Sequence, residues 1–378
     1  MRKGWEYKKL GEVCALTMGQ SPDGNSINEV NGIEFHQGKT CFGERFLGIS
    51  PLYSNAPTKL AEAHSVLLCV RAPVGYPNIT DRKICIGRGL CALYAKREID
   101  NSFLYYSLLG KQSYFEKNAT GSTFKAISSK IVSNTTLSIP PLSTQLAIVS
   151  ELDKINELIR LKKEQLKDFG NLAQSLFYEM FGDPVENEKG WEVKKLKDIS
   201  REIGDGLHGT PEYSEVDTGC YFINGNNLEN GTIVIKENTK MVSEKTKAKH
   251  YIEMDDFTIL VSINGTLGKV AFYNGENVIL GKSACYIKLE AYNDKKYIFE
   301  LLKSDYFKRY AESECTGTTI RNVSLKSMRN FRCPLPPLPL QRLFAQRIEQ
   351  IEREKSEVQK SIQDLETLLA SRMQYWFE

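Results

Sequence analysis

The chain has 378 residues, of which 41% are hydrophobic and 10% aromatic, and this composition is ordinary for a well-cored protein of two or three domains. Its first residues, Met1–Trp5, are charged and aromatic, and no stretch is apolar over the length of a signal peptide or a membrane span. We therefore expect a cytoplasmic protein that does not enter a membrane. The nine cysteines and four histidines lack metal-site spacing, which predicts reduced, buried thiols and no bound metal.

The net charge of +3 is distributed unevenly along the chain. Residues 1–140 have 17 Lys and Arg against 11 Asp and Glu, and residues 190–336 have 21 against 20. The segments 141–189 and 337–378 are slightly acidic, with 6 against 9 and 6 against 7. A modest positive field suits contact with phosphates, but many basic proteins share it. Charge alone does not decide the function.

The sequence contains an internal duplication. Gly4–Leu10 returns as Gly190–Leu196, and Pro140-Pro141-Leu142 with Gln145 returns as Pro336-Pro337-Leu338 with Gln341. Thr120–Lys125 likewise returns as Thr316–Arg321. The sequence between these anchors has diverged almost completely, and the second copy is longer. Two copies that share their terminal motifs but not the sequence between them predict a common scaffold that carries two different binding surfaces.

Between the anchors, short apolar runs alternate with Gly, Asn and Pro turns, which is typical of a mixed domain with short strands. The predicted strands are Ser65–Val70, Ile84–Ile86, Phe257–Ser262 and Val278–Leu280. Arg88 and Lys282 each follow a glycine directly after one of these strands. Such a glycine lets backbone amides and a cation approach an anion together, although ordinary hairpin turns have the same pattern.

After each Pro-Pro-Leu the pattern becomes helical, with apolar residues at alternating steps of three and four. The run from Gln145 to Phe181 would be roughly 55 Å long as a helix. A single stripe of this kind could simply pack on its own domain, but two matching stripes favour a coiled coil. The predicted interface residues are Ile148, Leu152, Ile155, Ile159, Leu166, Phe169, Phe344, Ile348, Ile351, Val358, Ile362 and Leu365.

The predicted organisation has five parts. They are a first globular domain at 1–140, a long helix at 141–182, a hinge at 183–189, a second globular domain at 190–336 and a second long helix at 337–378. The fold class is α+β, with two domains of mixed type and short strands. An antiparallel coiled coil of the two helices would join them in a pseudo-twofold internal repeat.

These motifs, in this order, resemble the specificity subunits of type I restriction-modification systems over essentially the whole chain. The matching segments are the Gly-Trp-x-x-x-Lys-Leu openings, the Pro-Pro-Leu-x-x-Gln helix entrances, Val70–Gly75, Ile86–Leu90, Gly204–Pro211 and Asn264–Lys269. The resemblance implies that each domain is a target recognition domain for one half of an asymmetric, bipartite DNA site. It also implies that the helices set the spacing between half-sites and bind two methyltransferase subunits, which restriction subunits can join.

The resemblance further implies that the chain binds no cofactor itself, because S-adenosylmethionine, ATP and Mg²⁺ belong to the partner subunits. Carried over to this sequence, the candidate contacts to double-stranded DNA are Arg71, Arg88, Lys125, Lys269, Lys282 and Arg321, with His208 and Gln37 as additional loop candidates.

Three other functions are alternatives to this interpretation. An enzyme is disfavoured, because neither a Walker phosphate-binding motif nor the Asp/Asn-Pro-Pro-Tyr/Phe motif of adenine methyltransferases occurs in the sequence, so no catalytic residue is predicted. Glu192 and Lys194 superficially resemble part of a nuclease site, but Glu6 and Lys8 repeat them as scaffold residues. A type II relative with a fused methyltransferase-nuclease partner, and a coiled-coil adaptor without DNA affinity, remain open alternatives.

Overall fold

The structure is a computed structural model that describes residues 4–121, 125–315 and 321–377. It divides into two compact units, one formed by Met1–Glu164 with Gln359–Glu378 and the other by Gln165–Val358. Each unit therefore combines one globular domain with segments of both long helices. Parts of the predicted loops, residues 122–124 and 316–320, lie outside the described residues.

The first domain is built on an antiparallel four-stranded sheet in the order β2-β10-β7-β8, with a smaller mixed sheet in the order β3-β5-β4-β9-β6. Its elements are β1 Glu6–Lys9, α1 Leu10–Val13, β2 Cys14–Met18, β3 Ile27–Asn28, β4 Ile33–His36, β5 Tyr53–Ser54, β6 Leu60–Ala61, β7 Val66–Cys69, β8 Pro77–Ile79, β9 Ile84–Ile86, β10 Leu90–Ala95, α2 Asn101–Leu109, α3 Gln112–Asn118, α4 Ser129–Asn134, β11 Thr136–Ile139 and the long helix α5 Leu142–Phe181.

The second domain repeats this plan with an antiparallel sheet in the order β13-β20-β17-β18 and a parallel strand pair β14-β19. Its elements are β12 Glu192–Lys195, β13 Ser200–Asp205, β14 Tyr221–Ile223, β15 Leu228–Glu229, β16 Thr232–Ile233, α6 Glu244–His250, β17 Thr258–Ser262, β18 Val270–Phe272, β19 Val278–Leu280, β20 Ala284–Leu289, α7 Lys295–Lys303, α8 Asp305–Ser313, α9 Leu325–Asn330, β21 Arg332–Leu335 and the long helix α10 Leu338–Phe377. The predicted α+β class with short strands is confirmed.

The repeated Pro-Pro-Leu-x-x-Gln motif holds each long helix at its start. Gln145 is fully buried; its side-chain amide donates to the carbonyls of Pro140 and Glu98, both at 2.9 Å, and its oxygen accepts the backbone N–H of Asp100. Gln341 makes the matching bonds to Pro336 and Asp294. Buried polar groups are costly unless they are paired, so these glutamines specify how each helix leaves its domain.

Both long helices have 40 residues, which corresponds to roughly 60 Å. In the first unit the beginning of α5 packs on the end of α10, where Lys163 pairs with Glu366 at 2.9 Å. In the second unit the end of α5 packs on the beginning of α10, with 5.1 Å between the ring centroids of Phe181 and Phe344. In each unit the two helix segments therefore run antiparallel, as the sequence predicts.

The predicted interface residues of the helices fall into two groups. Those that are buried are Ile148, Leu152, Ile155, Ile159, Phe344, Ile348, Ile351, Val358 and Ile362, and those that are half-buried are Leu166, Phe169 and Leu365. The first of each set also belong to a domain core: Ile148 and Leu152 pack in the first domain, and Phe344, Ile348 and Ile351 in the second. Each apolar stripe thus packs partly on a globular domain and partly on the other long helix.

A turn connects α5 to the second domain. Gly182, with a φ of +75°, ends the helix in a left-handed conformation, as glycine readily does. The Lys189 ammonium donates to the last carbonyls of α5, at Glu179 and Met180, where a cation is favoured by the helix dipole. Trp191 of the repeated opening motif donates its indole N–H to the carbonyl of Phe181 at 2.8 Å. The predicted hinge, 183–189, is tied to the second unit through these bonds.

Candidate nucleic-acid interface

A basic cleft of about 290 Å³ lies on the first domain. It is lined by Gln37, Gly38, Lys39, Arg71, Ala72, Arg88 and Gly89. Three residues predicted to contact DNA, Gln37, Arg71 and Arg88, therefore share one cleft, and all three are exposed. Arginine and glutamine have the donors and acceptors that can pair with base edges as well as with phosphates.

Two parallel strands position this cleft. Strand β9 runs beside β4, and Gly87, just after β9, donates its N–H to the carbonyl of His36 at 2.8 Å. A Cβ atom at Gly89 would lie 2.2 Å from the carbonyl oxygen of Gln37, so only glycine permits this close approach. The Gly-Arg-Gly sequence therefore brings the backbone of Arg88 beside the loop that starts at Gln37.

Lys125 adjoins the same cleft through its backbone. Its carbonyl accepts the N–H of Ala72 at 3.0 Å, and the next residue, Ala126, forms a β-bridge with Arg71. The Lys125 side chain is exposed. The remainder of the predicted phosphate loop, 122–124, is outside the described part of the chain.

Lys39 is a cleft residue that the sequence analysis missed. Its ammonium lies 3.5 Å from the centroid of the Tyr76 ring, which holds the cation by a cation–π interaction. The sequence signal was available, because Lys39 follows a glycine in the same way as Arg88 does. Behind the cleft, the carboxylate of Glu34 binds Arg82 and the buried His36, and this network fixes the strand that leads to Gln37.

The second domain has a larger cleft, of about 420 Å³, which is rich in amides. It is lined by Tyr213, Phe222, Asn224, Asn226, Asn227, Lys236, Asn238, Thr239, Lys240 and Lys269. Of the predicted residues only Lys269 lies here; its ammonium is half-buried, 3.9 Å from Glu229. Lys240 lies 4.7 Å above the Tyr213 ring, a cation over an aromatic face as in the first cleft.

The two clefts occupy matching places in their domains. Asn224 directly follows β14, as Gln37 follows β4, and Gly281 donates to the carbonyl of Ile223 at 2.8 Å as Gly87 does to that of His36. The residues at this shared position differ, and so do the segments that complete each cleft. Asn226, Asn238 and Lys240 had no sequence signal, because the sequence between the repeated motifs has diverged and none of the three belongs to a repeated motif.

Three residues of the second domain that the sequence predicts to contact DNA do not line this cleft. Lys282 is exposed and its backbone N–H donates to the carbonyl of Leu207 at 3.1 Å, beside His208. The exposed imidazole of His208 is held by Asp205 at 2.7 Å. Arg321 pairs with Glu312 at 3.5 Å, and its carbonyl accepts the N–H of Gly265, which repeats the bond between Lys125 and Ala72.

Within residues 4–121, 125–315 and 321–377, no group of three or more His, Cys, Asp and Glu side chains could hold a metal ion. All nine cysteines lie within the described residues as thiols rather than disulfides; seven are buried, whereas Cys41 and Cys315 are half-buried rather than buried as expected. Burial raises the pKa of the Cys14 and Cys69 thiols to about 12. None of the described helices is apolar over enough residues to cross a lipid bilayer.

The chain thus consists of two copies of one α+β domain, each followed by a long helix, and within each unit the two helix segments pack antiparallel. The sequence matches the family model of the type I restriction modification DNA specificity domain twice, over residues 2–168 and 188–367. The chain therefore belongs to the family of type I restriction-modification specificity subunits, which is non-catalytic.

Relatives agree with this assignment. A putative type I restriction enzyme specificity subunit, MjaX, of Methanocaldococcus jannaschii is 39% identical over 165 residues, which cover 43% of this chain but only 39% of that protein. The MjaVIII specificity subunit of the same organism is 21% identical over 97% of this chain and 92% of its own length.

Solved structures have the same fold. A chain from a type I restriction-modification complex assembly study has a TM-score of 0.69 at 18% identity and covers 100% of this chain and 98% of its own. The S subunit from M. genitalium has a TM-score of 0.53 at 16% identity, with coverage of 99% and 96%.

Proposed function

We propose that this chain reads a bipartite, asymmetric DNA site, with the first domain reading one half-site and the second domain the other. The observation that carries the proposal is the pair of clefts at matching places with unlike linings. Arginine, lysine and glutamine dominate the first, whereas asparagine and lysine dominate the second. Arginine and lysine suit guanine edges, and asparagine and glutamine suit adenine, so unlike linings would select unlike half-sites.

Cations in or beside the clefts would hold the phosphates. Arg71 in the first domain and Lys282 in the second are exposed, and among the described residues neither forms an ion pair with a carboxylate. Contacts to phosphate orient a protein on DNA, and contacts to base edges choose the sequence. The residues predicted from sequence and those found in the clefts together form this proposed interface.

The chain would act inside a larger assembly. Along α5 an apolar groove of about 710 Å³ is lined by Leu146, Val149 and Leu158 among polar residues, and Leu146 and Leu158 are each about half exposed. An exposed apolar stripe on a helix is a surface for a partner helix. We assign this face to a methyltransferase subunit. A complex with two methyltransferase subunits, joined by restriction subunits, would supply S-adenosylmethionine, ATP and Mg²⁺ chemistry in the cytoplasm.

Methylome sequencing of cells with and without this gene tests the function directly. We expect loss of one bipartite adenine-methylation motif when the gene is removed. In cells with Arg88→Gln, the first half of the motif should become relaxed or weakened, and with Lys240→Met the second half should. Arg97→Gln and Lys245→Met are matched controls, since both side chains are exposed and lie outside the two clefts.

Salt dependence of binding separates this function from that of an adaptor. With the methyltransferase partner present, we expect affinity for a random duplex to fall steeply as salt rises, because phosphate contacts release counterions. Arg71→Gln should reduce the slope of log K against log salt by about 1, as expected for one phosphate contact. An assembled complex without salt-sensitive DNA binding would instead indicate a coiled-coil adaptor.

A further inference from the structure

A cluster of polar and aromatic side chains joins the first domain to helix α5, away from the basic cleft. Arg45 reaches from a loop of the domain to the carboxylate of Asp153 on α5, with 2.5 Å between Nη1 and Oδ1. The Tyr106 hydroxyl of α2 donates to the same oxygen at 2.6 Å and accepts the Asn156 amide at 3.1 Å. These four residues form what we call the Arg45 cluster.

The guanidinium of Arg45 is mostly buried, which requires a specific partner. Only 19% of its side chain is exposed, and Nε is buried without an acceptor among the described residues. The group lies 5.3 Å from the Tyr106 ring centroid and 5.6 Å from that of Tyr105. A buried charge with one unpaired N–H contributes little net stability, but its single carboxylate partner restricts the geometry.

The loop that carries Arg45 begins at the basic cleft. Gln37, Gly38 and Lys39 line the cleft, and the same segment continues through Arg45 to Gly48. The Arg45 carbonyl accepts the N–H of Ile79 on β8, and Arg82 donates to the carbonyl of Gly48 at 2.9 Å. Segment 37–48 therefore lines the cleft with its first residues, contacts α5 through Arg45 and is hydrogen-bonded to the neighbouring Arg82 at its last residue, Gly48.

The second unit is built differently at the matching positions. Asp153 corresponds to Glu349 by the spacing of the repeat, and Glu349 accepts Lys296 of α7 at 2.9 Å. The counterpart of Tyr106, counted from the aspartates that cap α2 and α7, is Glu300, which pairs with Lys303 of its own helix. These contacts come from helix α7 rather than from the loop that carries the cleft.

We propose that Arg45 is a positioning residue that fixes the first cleft on α5 and thereby makes the complex select one distance between the two half-sites. This inference rests on the proposed reading of a bipartite site. The long helices and the Gln145 contacts would set the span of the site, and the Arg45 cluster would fix segment 37–48, which lines the first cleft, on that scaffold. Freeing Arg45 would let the first domain accept half-sites at more than one distance.

The test compares complexes of the full chain with its methyltransferase on a series of duplexes. Each duplex carries both half-sites at the native separation, or one base pair shorter or longer. For Arg45→Met we expect the ratio of methylation at the native separation to that at the altered separations to fall about tenfold, as for loss of a hydrogen bond between charged groups. Arg45→Lys, which can still pair with Asp153, should keep a ratio close to that of the unchanged protein.

Lys83→Met is the matched control, because Lys83 pairs with Glu62 at 2.8 Å within the same domain and does not touch α5. Tyr106→Phe keeps the ring and removes one bond to Asp153, so it covers the case in which Arg45→Met does not fold. Co-purification of the methyltransferase and the thermal melt of each variant are recorded alongside.

The outcomes are distinct. If the unchanged complex methylates a single half-site as well as the full site, the proposed reading of a bipartite site is wrong. If the unchanged complex selects one separation and Arg45→Met and Tyr106→Phe select it equally well, the bipartite reading stands and the role of Arg45 is refuted. The inference is supported if Arg45→Met loses spacing selectivity while Arg45→Lys and Lys83→Met both keep it.

Discussion

Trp5 and Trp376 stack with their ring planes 7° apart and their centroids 6.3 Å apart. One belongs to the opening motif of the first domain and the other to the end of helix α10. The Trp376 indole also donates to Glu151 at 3.0 Å, and Arg372 binds the same carboxylate through its guanidinium. The beginning of the first domain, the beginning of α5 and the end of α10 thus meet at one cluster.

Trp376→Ala should destabilise the first unit. Loss of the ring removes the stack with Trp5 and the hydrogen bond to Glu151, and we expect about 2–4 kcal/mol less free energy of unfolding, as for large-to-small changes at a partly buried site. Urea unfolding of the full chain, followed by tryptophan fluorescence and circular dichroism, measures it. Gln374→Ala, an exposed change on the same helix, should leave the midpoint unchanged; equal loss in both variants would contradict the prediction.

Gln145→Leu should destabilise the first unit even though an apolar side chain would ordinarily suit this fully buried position. Leucine fills a similar volume, but it leaves the carbonyls of Pro140 and Glu98 and the N–H of Asp100 without their partner. The buried Pro140 carbonyl left unpaired costs about 1–3 kcal/mol and the two part-buried groups add to this, so the first unit should unfold at markedly lower urea concentration. Gln341→Leu should do the same in the second unit. An unchanged midpoint in both would show that the motif is not structural.

Glu34 makes the first domain sensitive to acid. Burial alone would raise the pKa of its carboxyl, but hydrogen bonds from Arg82, the Ser50 N–H and His36 outweigh burial and lower the pKa to about 2. Because this folded-state pKa is below the ordinary value of 4.5, the carboxylate stabilises the fold above pH 4.5 and loses that effect as pH falls toward 2.

Glu34→Gln should therefore lower the free energy of unfolding at neutral pH by roughly 3 kcal/mol, the cost of breaking a buried ion pair. Its unfolding midpoint should also decline less between about pH 5 and pH 3.5 than that of the unchanged protein, since the titrating group is gone. Urea titrations at both pH values measure this slope. Glu62→Gln, which removes the exposed ion pair with Lys83, serves as the control. If the unfolding midpoint falls equally with pH in the unchanged protein and in both variants, Glu34 is not the source of the acid sensitivity.

Leu146→Glu should weaken assembly with the methyltransferase. A carboxylate placed in the apolar groove of α5 would be desolvated by a partner helix, which costs several kcal/mol. Size-exclusion chromatography of the co-expressed subunits should show free specificity subunit in place of the complex. Val30→Glu changes an equally apolar residue that is 84% exposed on the first domain, and it should assemble normally. Normal assembly of Leu146→Glu would place the docking surface elsewhere.

The sequence predicted the helices and strands of this molecule more accurately than the residues that line its two clefts. Repeated motifs located both helix entrances, and apolar runs located strands such as Ile84–Ile86 to the residue, because these signals are local. Arg88 was singled out by the glycine turn after a predicted strand, whereas Arg71 and Gln37 were carried over from the family resemblance; all three line the first cleft. Lys240 and Asn226 were missed, since neither belongs to a motif that the two halves share. The pair between Arg45 and Asp153 spans 108 residues, and no local pattern announces a contact of that separation.

The first unit contains residues 4–164 together with a segment that begins at Gln359, whereas the second unit is continuous from Gln165 to Val358. During synthesis, the second unit therefore has all its residues before the first unit does, although domains usually complete their folding from the N-terminus onward. Until α10 emerges, Trp5, Phe103 and the start of α5 leave the ribosome without the surface that covers them in the finished protein. The nascent first domain would be the part most dependent on chaperones, even though it is made first.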